Sequence, residues 1–376
     1  MNEIDSDGST PLIVAVENDF PDVVEFLVKK EGANVNLGDD EGRTPLYWAA
    51  YLNNPTIVKW LVEKGGARVD QAKNDGTTPL IVSSENGHEE VVKLLLAKGA
   101  NVDQADDSHC VTPLIMSSKN GHYEVVKLLL ASGAAVDLAE KRGRTSLSVS
   151  SMNGHHKVVK LLLAKGAKVG QASNKGFTPL IMSSQEGHRP VARLLLANGA
   201  DVDQTDKHGW TPLIAGSENG HVGMVKLLLT SGAKVNQATN DGTTSLIMSS
   251  KNGHHEVVKL LLTEGAKVNQ VNSDGVTPLS VSRLNGHEEV VQLLLAHVAK
   301  EEQAKKAGNE KEEEGAPKRA MRACEKCGKE AEKMKACSVC RLIRYCSEEC
   351  QQGDWKEHKE ACKRGAAKVK GGLAEF

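Results

Sequence analysis

Phe, Tyr and Trp together make up only 3% of the 376 residues. A single large core normally draws on more aromatic volume than this, so many small units are expected instead of one globule. Cysteine is nearly missing from most of the chain: Cys110 is the only one before residue 324, which excludes a disulfide framework there. Neither sign of charge dominates. Lys and Arg number 47 against 49 Asp and Glu, a net charge of −2, so no global field gathers nucleic acid or an acidic membrane. Long hydrophobic runs are also lacking. Val91-Val92 and Leu94-Leu95-Leu96 are interrupted by Lys93, far short of the ~18–20 apolar residues of a membrane span. Met1-Asn2-Glu3-Ile4-Asp5 has neither the basic start nor the apolar core of a secretory signal. The expectation is a chain that is neither exported nor membrane-bound, located in the cytoplasm, the nucleus or both.

What is abundant is periodicity. Thr-Pro-Leu or Thr-Ser-Leu begins at Thr10, Thr44, Thr78, Thr112, Thr145, Thr178, Thr211, Thr244 and Thr277. The steps are 34 three times and then 33 five times. In each unit Thr can cap the free N–H groups of a helix, and in seven of the nine the first helical residue is Pro, where no N–H is needed. In the third unit this predicts a short helix over Pro79–Asn86, closed by Gly87. A second helix follows with Val91, Val92, Leu94, Leu95 and Leu96 on one broad face, bounded by Glu89, Glu90, Lys93 and Lys98 and ended by Gly99-Ala100. A helix pair this small cannot bury its apolar face alone, so neighbouring units must stack into a solenoid.

The unit Asp75-Gly76-Thr77-Thr78-Pro79-Leu80, through Gly87-His88 to Gly99-Ala100, resembles an ankyrin repeat. The resemblance covers residues 1–299 as nine repeats and implies a mainly α fold of antiparallel helix pairs with protruding hairpin turns and a concave binding face. Three departures stand out. The family's His after Thr-Pro-Leu is replaced by Ile13, Tyr47, Ile81, Ile115, Ser148, Ile181, Ile214, Ile247 and Ser280. The usual Ala-Ala becomes Ser83-Ser84, Ser117-Ser118, Ser150-Ser151, Ser183-Ser184 and Ser249-Ser250, which keeps the small volume that close stacking needs. The turn Gly two residues before each Thr is Cys110 in the fourth unit, which also carries one extra residue, so a differently shaped turn is expected over Asp106–Cys110. Seven histidines, His88, His122, His155, His188, His221, His254 and His287, recur once per unit and read as structural, not as a metal set. The resemblance places partner contacts on the turns and at the exposed end of each first helix. There the seventh residue after each Thr reads Glu17, Tyr51, Glu85, Lys119, Met152, Gln185, Glu218, Lys251 and Leu284, a mixed series that suits a protein or peptide partner.

Residues 298–322 hold thirteen charged side chains and only Val298 and Met321 as large apolar ones, too few to build a core. Residues 300–322 read as a charged linker, helical at first and broken at Gly315-Ala316-Pro317, with residues 364–376 as a flexible tail. Pro317-Lys318-Arg319-Ala320-Met321-Arg322 is a short basic cluster that reads either as a nuclear address or as solvated linker.

Between Cys324 and Cys362 lie the other seven cysteines. With one histidine they form four pairs: Cys324/Cys327, Cys337/Cys340, Cys346/Cys350 and His358/Cys362. Eight thiolate and imidazole donors make two tetrahedral zinc sites. With every position filled by protein the metal is structural, and about forty residues need it to fold at all. Spacing leaves sequential and interleaved pairing both open. Tyr345-Cys346-Ser347-Glu348-Glu349-Cys350-Gln351, followed by Trp355, His358 and Cys362, resembles the MYND zinc finger over residues 323–363. That resemblance implies a small two-zinc cross-brace, with Cys324, Cys327, Cys346 and Cys350 on one ion and Cys337, Cys340, His358 and Cys362 on the other. It also implies binding of short proline-containing peptides, with Gln351 and Trp355 as contacts; Trp355 has packing of the tiny domain as its alternative.

These readings converge on a monomeric, non-enzymatic adaptor whose repeats bind one protein and whose zinc module binds another. The alternative is a substrate-recruiting component of a ubiquitin-ligase or lysine-methylation system. A RING module would carry a central Cys-x-His and end in Cys-x2-Cys, unlike His358-x3-Cys362. Nucleic-acid binding ranks lower, because the +4 formal balance of residues 298–376 falls to about +1 once two zinc ions replace seven thiol protons.

Overall fold

The capping chemistry of each repeat's Thr sets where that repeat begins. In all nine units the Thr hydroxyl oxygen accepts the N–H of the third helical residue at 3.0–3.3 Å, from Ile13 in the first unit to Ser280 in the ninth. The computed structural model describes residues 3–315, 335–336 and 344–345. Its chain divides into Met1–Ala299 and Lys300–Phe376.

The first part is a stack of helix pairs. First helices are short, such as Pro79–Asn86 and Pro113–Asn120; second helices are longer, such as Glu89–Ala97 and Tyr123–Ala131. Each helix packs on its partner and on its counterparts in adjacent units, and the short helices sit closer together than the long ones. Small residues permit this: Ser83, Ser84, Ser117, Ser118, Ser150, Ser151, Ser183, Ser184, Ser249 and Ser250 of the first helices are fully buried. The core then runs the length of the stack through Val91, Val92 and Leu95 and their equivalents Val125, Val126 and Leu129 in the next unit.

The positions that lack the family's His resolve in two ways. Ile13, Tyr47, Ile81, Ile115, Ile181, Ile214 and Ile247 are buried in the stack. Ser148 and Ser280 complete a reciprocal cap, their hydroxyl oxygens accepting the N–H of Thr145 and Thr277 at 2.9 Å. The serine pairs also divide their labour. Ser83 returns its proton to the Pro79 carbonyl at 2.8 Å and Ser117 to that of Pro113 at 2.9 Å, whereas the Ser84 and Ser118 hydroxyls are buried with no partner among the described residues.

The last second helix runs Glu288–Gly315, past the final repeat. Beyond it are two short antiparallel strands, Lys335–Ala336 and Arg344–Tyr345, with Lys335 opposite Tyr345 and Ala336 opposite Arg344. Among the described residues no helix is long and apolar enough to cross a membrane.

Candidate binding surface

The seventh residue after each capping Thr lies at or beside the C-terminus of a first helix, and all nine are exposed or half-exposed, Leu284 at 84%. The backbone under these variable side chains is fixed by the next unit. His88 donates from Nε2 to the Tyr51 carbonyl at 2.9 Å, and His122, His155, His221, His254 and His287 do the same to Glu85, Lys119, Gln185, Glu218 and Lys251 at 2.8–2.9 Å. Asn120, Asn252 and Asn285 add a second donor to three of those carbonyls. Six of the seven recurring histidines thus tie one repeat to the next, as the structural reading expected. The imidazole needs a flat neighbour to reach that carbonyl. Gly87 turns left-handed with φ 78°, and a Cβ added there would lie 2.5 Å from His122 Nδ1.

The hairpin turns are joined by a similar ladder. Asn74 N–H donates to the Glu41 carbonyl, Asp107 to Asp75, Lys141 to His109, Asn174 to Arg142, Lys207 to Lys175, Asn240 to His208 and Ser273 to Asp241, at 2.7–3.1 Å. In a regular turn Gly76 N–H donates to the carbonyl three residues back, Lys73, at 2.9 Å. The fourth turn differs, as its extra residue predicts. Cys110 N–H reaches four residues back to Asp106 at 3.2 Å, and Cys110 itself takes the left-handed conformation at φ 57°. Asp106 Oδ1 steadies the enlarged loop by accepting the N–H groups of His109 at 3.1 Å and Val111 at 2.8 Å.

Beside that turn lies a cleft of about 300 Å³. Val111, Ile115 and Val149, with Met116 against them, form a small apolar cluster separate from the main core. Asp106, His109, Lys119, Glu140, Arg142 and Arg144 complete its wall. Glu140 is buried and paired with the Arg144 guanidinium.

The second repeat carries a feature that motif reading passed over. Asp39, whose side chain is fully buried, accepts Arg43 Nε at 2.7 Å and Trp48 Nε1 at 3.2 Å. Arg43 lies 4.6 Å over the Trp48 ring, and Trp48 meets Tyr47 and Tyr51 edge-to-face at 6.4 and 5.9 Å. Burial, reinforced by Asp75 and opposed by Arg43, pushes the Tyr47 hydroxyl up to about 12. The available signal was position: Phe20, Phe26, Tyr47, Trp48, Tyr51 and Trp60 all fall in the first 60 residues of a chain with four each of Phe, Tyr and Trp.

The zinc-ligand candidates Cys324, Cys327, Cys337, Cys340, Cys346, Cys350, His358 and Cys362, and the peptide-contact candidates Gln351 and Trp355, lie outside the described residues, as do residues 316–322 and the 364–376 tail. Their donor chemistry fits zinc: seven thiols and one imidazole form a soft, nitrogen-and-sulfur set. In sequence, Cys337 directly follows one of the two short strands and Cys346 the other.

Comparison with known families agrees with both parts. A model of three consecutive ankyrin repeats matches residues 1–73, 31–106, 66–140, 104–173, 147–239 and 235–306, and the MYND finger model matches residues 324–362. Three curated relatives match over short stretches of the MYND segment. SET domain-containing protein 14 of Caenorhabditis elegans is 50% identical over 40 residues, 11% of this chain and 9% of that protein. SET domain and MYND-type zinc finger protein 6 of Schizosaccharomyces pombe is 40% identical over 52 residues, 14% and 11% of the two chains. Histone-lysine N-methyltransferase SMYD3 of Homo sapiens is 45% identical over 40 residues, 11% and 9%. The chain therefore spans about a tenth of the length of these relatives. A stack of capped helix pairs tied by histidines and hairpin turns, matched over residues 1–306 and followed by a zinc-binding module, places this chain in the ankyrin-repeat family, with a C-terminal MYND finger; both are protein-interaction modules.

Proposed function

We propose that the chain is a non-catalytic adaptor, its repeat array engaging one protein and its MYND finger a short proline-containing segment of another. The observation that carries this reading is the contrast between constant scaffold and variable surface. Histidine and hairpin ladders hold the same backbone in each unit, while the side chains displayed there run Tyr51, Glu85, Lys119, Gln185, Glu218 and Lys251. A periodic frame with a non-periodic face suits recognition of one irregular polypeptide surface. In the finger, Cys324, Cys327, Cys346 and Cys350 would hold one zinc and Cys337, Cys340, His358 and Cys362 a second, leaving Gln351 and Trp355 to meet peptide. Zinc supplies the folding free energy there, about 10–16 kcal/mol per structural site. Joining two modest sites on one chain raises avidity through effective concentration. We place the protein as a monomer in the cytoplasm, the nucleus or both.

Affinity capture from cell extract, comparing the full chain with one lacking residues 324–362, tests this. Two separable partner sets are expected, one surviving the deletion. A single set lost entirely on deletion would remove the array from the reading.

The named SET-domain and methyltransferase relatives favour a second reading, in which the finger recruits substrates to a lysine-methylation system; a ubiquitin-ligase role is its counterpart. Auto-ubiquitination with a panel of conjugating enzymes, abolished by Cys337→Ser, would replace the adaptor reading.

A further inference from the structure

The chain's charges nearly cancel, yet the hairpin tips do not share them evenly. On the fifth, sixth and seventh turns the exposed ionic side chains are Lys141, Arg142, Lys175 and Lys207. The acids of those turns are spent internally. Glu140 is buried against Arg144, and Asp206 is buried while its Oδ1 accepts the N–H groups of His208 and Trp210, both at 2.8 Å. None of the four cations makes an ion pair among the described residues, and neither does Lys119 on the neighbouring helix end. The turns on either side expose acids, Asp107 on the fourth and Asp241 on the eighth. The cationic ridge is therefore bounded, and its tips are locked together by the bonds from Asn174 to Arg142 and from Lys207 to Lys175.

One end of this ridge opens into the cleft lined by Val111, Ile115, Met116 and Val149. Building on the adaptor reading, we propose that the fourth to seventh repeats bind an acidic polypeptide segment anchored by one aliphatic side chain. The anchor enters the cleft beside the enlarged Asp106–Cys110 turn, and the following Asp and Glu residues cross Lys141, Arg142, Lys175 and Lys207. A cleft of about 300 Å³ with Val111, Ile115, Met116 and Val149 as its apolar part has room for a Leu, Ile or Met side chain. It has little to offer a phosphodiester backbone, and the exposed acids Asp107 and Asp241 confine the acidic stretch of the ligand to the turns between them.

The test uses the zinc-loaded full chain as bait for a phage-displayed library of random dodecapeptides. The enriched peptides are synthesised and their affinities measured for the wild type, for R142E/K175E/K207E and for Met116→Gln. Enrichment of an aliphatic residue followed by acids supports the proposal, provided the triple variant weakens binding at least about tenfold at low salt and Met116→Gln weakens it severalfold. The substituted tips are exposed, so unchanged thermal unfolding confirms that the variants are folded. Peptides bound equally by wild type and triple variant would overturn this surface while leaving the array a protein binder elsewhere. A mixed-sequence oligonucleotide bound more tightly than the selected peptides, with the same sensitivity to R142E/K175E/K207E, would overturn it in favour of nucleic acid.

Discussion

His122 of the fourth repeat reaches back to the third and donates its Nε2 proton to the Glu85 carbonyl at 2.9 Å. The same carbonyl accepts from Asn120 at 2.7 Å. A side chain from one unit thereby fixes the backbone on which its neighbour displays a candidate contact residue, so stability and recognition share an atom.

His122→Ala should destabilise the array by about 1 kcal/mol, the net worth of one such hydrogen bond. Gly87→Ala should cost more. It forces a side chain into left-handed backbone and drives its Cβ to 2.5 Å from the imidazole. Urea unfolding followed by circular dichroism ranks the two; a smaller loss for Gly87→Ala would refute the stacking argument.

The serine pairs predict opposite signs for neighbouring substitutions. Ser84→Ala removes a buried hydroxyl with no partner among the described residues and should stabilise by up to about 1 kcal/mol. Ser83→Ala deletes a hydroxyl bonded to the Pro79 carbonyl and should be neutral or mildly destabilising. Equal effects in thermal melts would mean that both hydroxyls are satisfied.

Asp241 supplies a pH test. Hydrogen bonding from Thr239 outweighs burial and, with the Thr243 backbone and hydroxyl, holds its carboxyl below the usual 3.8. A folded-state value depressed in this way gives stability that is present above the unfolded value and lost as pH falls through the folded one. Asp241→Asn should therefore cost stability at pH 7, under about 1 kcal/mol for so exposed a group, and progressively less as the pH falls below 3.8. A loss that does not shrink over that range would assign the effect to shape instead of charge.

Metal removal should separate the two parts. A strong chelator should release two zinc ions per chain, counted by native mass spectrometry, and leave the helical signal of the repeats almost unchanged. Cys346→Ser should lose zinc, whereas Trp355→Ala should keep both ions and lose peptide binding. Loss of metal in both variants would make Trp355 a packing residue.

Much of the array was legible in the sequence because its rules are local. Thr before Pro, Gly at a helix end and Val-Val with Leu-Leu each report a backbone requirement met within a few residues, so Pro79–Asn86 and the odd turn at Cys110 could be read directly. The Asp39–Arg43–Trp48 knot was not, because its meaning lies in Arg43 stacking over the ring while both side chains bond the buried Asp39, and no motif encodes that. The cationic ridge was hidden for another reason. Counting charge along the chain gives Glu140 and Asp206 full weight, and only packing shows that they are buried and already bonded.

The second helices carry a consequence of their own. Val-Val-Lys-Leu-Leu-Leu occurs unchanged at residues 91–96, 125–130, 158–163 and 257–262. These helices are close to interchangeable, so chemistry alone does not dictate which should sit beside which. Order is kept by tethering: the nearest copy along the chain arrives first. Excising one whole unit would then leave a sound but shorter stack and slide every downstream contact residue one place, giving evolution a way to rewrite specificity without redesigning the fold.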